Sequence, residues 1–341
     1  MKCTGKMTNT IFAMFLALLI ITASNQAFAQ GGTWETKAPM PTVRWGAASG
    51  VINGKLYVAG GWNGTNSLAT LEVYDPATNT WATKASMSTA RDGAAGGVIN
   101  GKLYVVGGDI AQNQKLATLE VYDPATDTWA TKASMSTSRS GPAVVAIDGK
   151  LYVAGGCQGW CAPVTAVLEV YDPATNTWTT KTSMSIGRGG TDVEVVNGLF
   201  YVMSGCCGSV GSDTTLMAKT IEAYNPTTNT WTTKTQHVME GGATAGSMNG
   251  KIYVAKSAAT EVYDPATDTW ASLSSMSVAR QYTTGGVING KLYVAGGYAG
   301  TVGSAITEAF TPFLPGDANE DGKLGLDDVI YILQVLSGVR Q

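Results

Sequence analysis

One phrase is written six times along this chain. VINGKLYVAGG at residues 51–61 returns unchanged at 287–297, and variants occupy 98–108, 146–156, 195–205 and 247–257. A second phrase, LEVYDPATNTW at 71–81, recurs with changes ending at Trp129, Trp178, Trp231 and Trp270. A period of roughly 47 residues is that of four-stranded repeats stacked around an axis. One such sheet cannot bury both of its faces alone, so the copies must pack on one another.

Each copy reads as four strands. Residues 46–52 form a small-residue strand, as a crowded central axis demands. Asn53-Gly54 makes a two-residue hairpin, because both residues tolerate positive φ. Residues 55–59 alternate as a second strand and end on Gly60-Gly61, and 71–74 give a third. Asp75 to Asn79 supply turn chemistry, and Trp81 opens the outer strand. The sixth copy has no Trp after Phe310, whereas residues 33–37, TWETK, look like an outer strand with no blade before it. The two ends therefore complete one blade between them, which removes an exposed edge.

The Gly pair after the second strand, the Tyr of the third and the Trp of the fourth resemble the kelch family across residues 32–313. The resemblance implies an all-β fold, a six-bladed β-propeller closed by the N-terminal strand, occupying residues 30–313. Nine residues before each hairpin Asn or Asp stand Arg44, Arg91, Arg139, Arg188, Glu240 and Arg280. By chain order they start the innermost strand, so they are expected to ring the channel mouth. The resemblance implies that Arg residues here contribute to a pocket for acidic peptides. A guanidinium fork suits carboxylates, although a residue repeated in every regular copy equally suits a scaffold role. Copy five departs most: Glu240 replaces Arg, and Lys256-Ser257 replaces the Gly pair. Trp62, Trp160 and Tyr298 lie in the loops after the second strands, as rim contacts or as local packing.

Residues 1–29 begin with Lys2 and Lys6, run apolar from 11 to 21 and end in Ala27-Phe28-Ala29. That is the pattern of a secretory signal peptide, and it predicts a secreted, periplasmic or surface protein with no membrane span after cleavage. Cys157, Cys161, Cys206 and Cys207 then remain as disulfide candidates in an oxidising compartment. Cross-blade bridges, or Cys157–Cys161 with Cys206–Cys207, are both open.

After Pro315 the pattern changes. Asp317, Asn319, Asp321 and Asp328 hold positions one, three, five and twelve of an EF-hand-type loop, and Gly322 holds the sixth. Lys323 offers its backbone carbonyl, and Gly325 implies water at the ninth place. Residues 314–341 thus form a calcium-binding loop followed by a helix over 329–336, whose Val329, Ile330, Leu333 and Leu336 share a face. GDANEDGKLGLDDVIYILQVLSG resembles the dockerin repeat, which implies a Ca2+ cofactor and a cohesin-like partner. Dockerins usually pair two such units, and this chain has one.

The net charge of −3 argues against a nucleic-acid surface. A single His excludes a copper site of the galactose-oxidase kind, which needs two. The sequence therefore favours an exported binding module, with a protein or glycan ligand at the channel mouth, over an enzyme. The enzyme class that stays open is a carbohydrate-processing one on acidic sugars, since sialic-acid mutarotases are exported six-bladed kelch proteins, with Glu240 as its acid/base. A purely structural surface protein is third.

Overall fold

The computed structural model describes residues 31–111, 114–158, 163–205, 220–235, 237, 241–313 and 326–337. The hairpin dipeptides fold as their chemistry requires. Asn53 and Gly54 take φ of 49° and 72°, and they join Ala48–Ile52 to Lys55–Ala59 in antiparallel register. Leu71–Asp75 and Thr80–Lys84 complete a four-stranded sheet. Five further sheets of the same order follow, so the six-bladed propeller is observed. The last is finished from the other end of the chain: Thr33–Lys37 pairs with Thr307–Thr311, bringing Trp34 opposite Phe310. Blade two carries an added ribbon in its rim loop, Asp109–Ile110 against Gln114–Lys115.

The core lies between blades. The second-strand Tyr of each blade packs against the third-strand aromatic of the next: Tyr57 on Tyr122, Tyr104 on Tyr171, Tyr152 on Tyr224, Tyr201 on Tyr263, Tyr253 on Phe310 and Tyr293 on Tyr74. Ring centroids are 5.8–6.2 Å apart in this closed circuit. The turn residues latch the same seams. Asn79, held at φ 52°, accepts hydrogen bonds from Tyr74 Oη at 2.7 Å and from the Ala38 amide of the preceding blade at 2.9 Å. Trp81 Nε1 donates to the Ala38 carbonyl at 2.8 Å. Asp127, Asn176 and Asn229 repeat this arrangement, with Trp129, Trp178 and Trp231. The repeated identities of the second phrase are therefore explained by inter-blade bonding.

The innermost strands pack side by side around the axis and enclose a channel cavity of about 480 Å³. Their glycines keep the ring tight: a Cβ on Gly50 would lie 2.6 Å from Val98 Cγ2 of the next blade. The helix spans Leu326–Leu336, three residues earlier than its apolar pattern suggests, and Leu326, Val329, Ile330 and Leu333 are exposed. Among the described residues no helix is long and apolar enough to cross a membrane. The leader at 1–29 and the calcium loop at 317–325 lie outside the described residues, as does the Asp328 side chain.

Candidate functional site

The arginines do not ring the mouth. Arg44, Arg91, Arg139, Arg188 and Arg280 are 0–1 % exposed, each turned into its own blade. Arg44 Nη1 donates to the Gly60 and Thr70 carbonyls at 2.8 and 3.2 Å, the two ends of the loop joining the second and third strands. Arg91 grips Gly107 and Thr118 in the same way, Arg139 grips Gly155 and Val167, Arg188 grips Ser204 and Thr220, and Arg280 grips Gly296 and Ile306. Each also meets a buried third-strand carboxylate: Glu72 at 3.1 Å, Glu120 at 2.6 Å, Glu169, Glu222 at 2.7 Å and Glu308 at 2.5 Å. Burial lowers the guanidinium pKa values and the glutamates oppose it. The expected pocket for acidic groups is thus corrected to a clasp that pins the rim loop, its charge already neutralised.

Blade five shows why the clasp exists. Its second strand, Lys251–Lys256, turns directly into Ala259–Asp264 with Lys256 opposite Ala259, leaving only Ser257 and Ala258 between. No rim loop remains to be held. Glu261, the counterpart of Glu72, meets His237 Nε2 at 3.0 Å, and the imidazole stacks on Trp270 with centroids 4.4 Å apart. Among the described residues Trp270 Nε1 is buried without a partner, unlike the other blade tryptophans. Glu240 lies outside the described residues. The absent loop leaves a notch in the rim at blade five.

Two carboxylates stand on the face of the innermost strand of blade four that packs against blade five. Asp192 and Glu194 occupy the innermost strand of blade four, where blade one has Ala48 and Gly50 in the same register. Asp192 is buried and accepts from Ser204 Oγ at 2.7 Å and from the Ala243 amide at 2.7 Å. Burial pushes its pKa up to about 6 against these hydrogen bonds. Glu194 takes the glycine register because its neighbour in blade five is Ser247, which bonds to it, in place of a Val; burial raises its pKa too.

Above these residues runs a belt of backbone hydrogen bonds. Gly93 donates to Gly46, Gly141 to Gly93, Gly190 to Gly141, Gly46 to Tyr282 and Tyr282 to Gly242, at 2.6–2.9 Å. All six residues have positive φ, from 54° at Tyr282 to 90° at Gly242. Among the described residues the remaining link, Gly242 to Gly190, is not made, and the Gly242 amide turns to Asp192 instead. Tyr282 is the one side chain in this belt, and it lines the channel. Asp192, Glu194 and Tyr282 were each visible as departures from the repeat, Tyr282 two places after the Arg position, where the other copies carry Gly.

The two described rim aromatics pack locally. Tyr298 lies against Trp45 with centroids 5.2 Å apart and its hydroxyl donates to the Gly300 carbonyl, while Trp62 is half-buried and bridged to Trp45. Trp160, Cys161, Cys206 and Cys207 lie outside the described residues; Cys157 is buried against Gly189. Among the described residues no cluster of three metal-ligating side chains occurs.

Comparison with known proteins agrees with this architecture. A family model described as the KLHDC2/KLHL20/DRC7 Kelch-repeats domain matches residues 82–254, and the Kelch motif matches 44–88. Among solved structures, that of YjhT superposes with a TM-score of 0.68 at 17% sequence identity, covering 80% of this chain and 95% of that one. No curated protein sequence matches the chain.

Proposed function

The chain belongs to the kelch-repeat family, and from that premise we propose that it is an exported binding module whose ligand, a protein segment or a glycan, enters the channel mouth through the blade-five notch. One observation carries the reading. The departures from six-fold repetition converge on one sector: the missing rim loop, Asp192 and Glu194, the broken belt link and Tyr282. In a ring of near-identical blades, local rules are broken where a site has been built. The leader pattern at 1–29 supports export. The loop from Asp317 to Asp328 supports a calcium-binding tail, with a cohesin-like partner as the docking candidate for its helix.

A second reading, a carbohydrate-processing enzyme on acidic sugars, draws on the Asp192 carboxyl, whose pKa near 6 suits proton transfer. Its side chain lies behind the channel wall, so binding is the primary reading.

The test is thermal unfolding of the mature chain with calcium, scanned against peptides, neutral sugars and acidic sugars. A ligand at a hundred times its Kd should add about 2.7 kcal/mol. Inserting the blade-one loop, residues 61–69, between Ser257 and Ala258 closes the notch and should abolish the shift. If no ligand gives a notch-dependent shift, the reading fails. Chelation should lower the melting temperature if the tail holds calcium.

A further inference from the structure

Tyr282 is an anomaly of backbone conformation. Among the described residues, fifteen non-glycine residues have positive φ, and eleven of them are Asn or Asp. Those side chains tolerate the left-handed region, whereas a bulky aromatic in it is strained. The belt does not ask for a side chain there: its bonds use only backbone N–H and C=O, and glycine makes them at the other positions. Strain of this kind persists where the surroundings hold it, and it clusters at ligand-contacting positions.

The ring also has a prepared seat. Gly242 lies directly beneath it, and a Cβ on Gly242 would come within 2.9 Å of Tyr282 Cδ1. The side chain is nevertheless 40 % exposed and borders the channel. The described lining is otherwise mostly glycine, alanine and branched residues; Thr244 and Thr283 bond each other at 2.8 Å, and the carboxylates of Asp192 and Glu194 are turned into the seam with blade five, held by the Ala243 amide and Ser247. Among the described residues the lining holds no Lys or Arg; the five arginines are turned into the blades on their glutamates, and Lys256 at the blade-five turn acts on Asp192 from behind the wall. A cavity of about 480 Å³ has the size of a small-molecule site. An aromatic platform over a lining whose carboxylates are turned into the seam between blades suits a neutral, polyhydroxylated ligand.

We propose that Tyr282 is the stacking platform of a neutral-sugar site in the channel mouth, set between the blade-five notch and the strand bearing Asp192 and Glu194. The proposal rests on the mouth-binding reading above and narrows it to one ligand class and one contact residue. The sugar ring lies on the exposed part of the tyrosine.

Isothermal titration of the mature chain with galactose, N-acetylglucosamine and cellobiose tests this, using Tyr282→Phe and Tyr282→Asn. Phe keeps the ring, and Asn keeps the backbone conformation without strain. At least one sugar is expected to bind, with Phe within about threefold of the parent and Asn weaker by about tenfold or more. The melting temperature of the Asn variant should be equal to or above that of the parent. Undiminished binding by Tyr282→Asn overturns the proposal, as does a loss of binding accompanied by a fall in melting temperature, which would mark a structural residue. Failure of all three sugars to bind overturns it as well. If in that case an acidic sugar or peptide still gives a notch-dependent shift, the mouth reading survives and only the ligand class and platform fall.

Discussion

Arg91 and Glu120 set out what a repeated charge does in this ring. The guanidinium ties both ends of a rim loop to a carboxylate with no access to water, so removing one member strands the other. Arg91→Ala is expected to cost about 3–5 kcal/mol, and the double replacement Arg91→Met with Glu120→Leu distinctly less, because it leaves no buried charge unpaired. Urea denaturation of the three proteins measures this; a single variant within 1 kcal/mol of the parent would contradict the clasp. The repetition of Arg was legible in the sequence, but its direction was not. Its glutamate lies 28 residues on in blade six and 34 in blade four, because the clasped loops differ in length. No fixed spacing announced the pair, so an inward arginine and a channel-facing one looked alike.

At the scale of the element, blade five is the weak seam. It lacks the Arg clasp, its Trp270 Nε1 is buried without a partner at a cost of about 1–3 kcal/mol, and its border with blade four encloses Asp192. Asp192 holds its proton to about pH 6 in the folded protein, against an ordinary value of 3.8. The folded state therefore binds the extra proton between those values. The stability this contributes is complete below about pH 4 and is lost as pH rises through 6, leaving a penalty of about 3 kcal/mol at neutral pH. Asp192→Asn should stabilise the protein at pH 7.5 relative to the parent and much less at pH 4.5, measured by chemical denaturation at both. An equal effect at the two pH values would mean that Asp192 is not buried as an anion. The sequence marked copy five as irregular through Glu240 and Lys256-Ser257. It did not reveal the notch, because a shortened repeat reads equally as a lost strand or a lost loop until the register of Lys256 with Ala259 is known.

Over the whole molecule, the propeller was legible almost completely, since six copies of a four-strand pattern leave few packings. Even the closing strand was foretold by a TWETK with no blade of its own and a sixth blade with no Trp. What a single copy could not show is that its aromatics form one circuit, each seam depending on the next. A chain lacking residues 31–37 leaves Thr307–Thr311 as an open edge and uncovers Phe310. It is expected to associate through that edge, visible by size-exclusion chromatography, and to return to monomer when a peptide of residues 31–37 is supplied; a monomeric truncated chain would contradict this. The pairing of Thr33 with Thr311 also has a meaning in time. The first strand to be synthesised must wait, unpartnered, for nearly the entire propeller to emerge before it can be seated. A permuted chain that begins after residue 37 and carries residues 31–37 behind residue 313 would make blade six in one stretch, so that the ring locks in the order in which it is made.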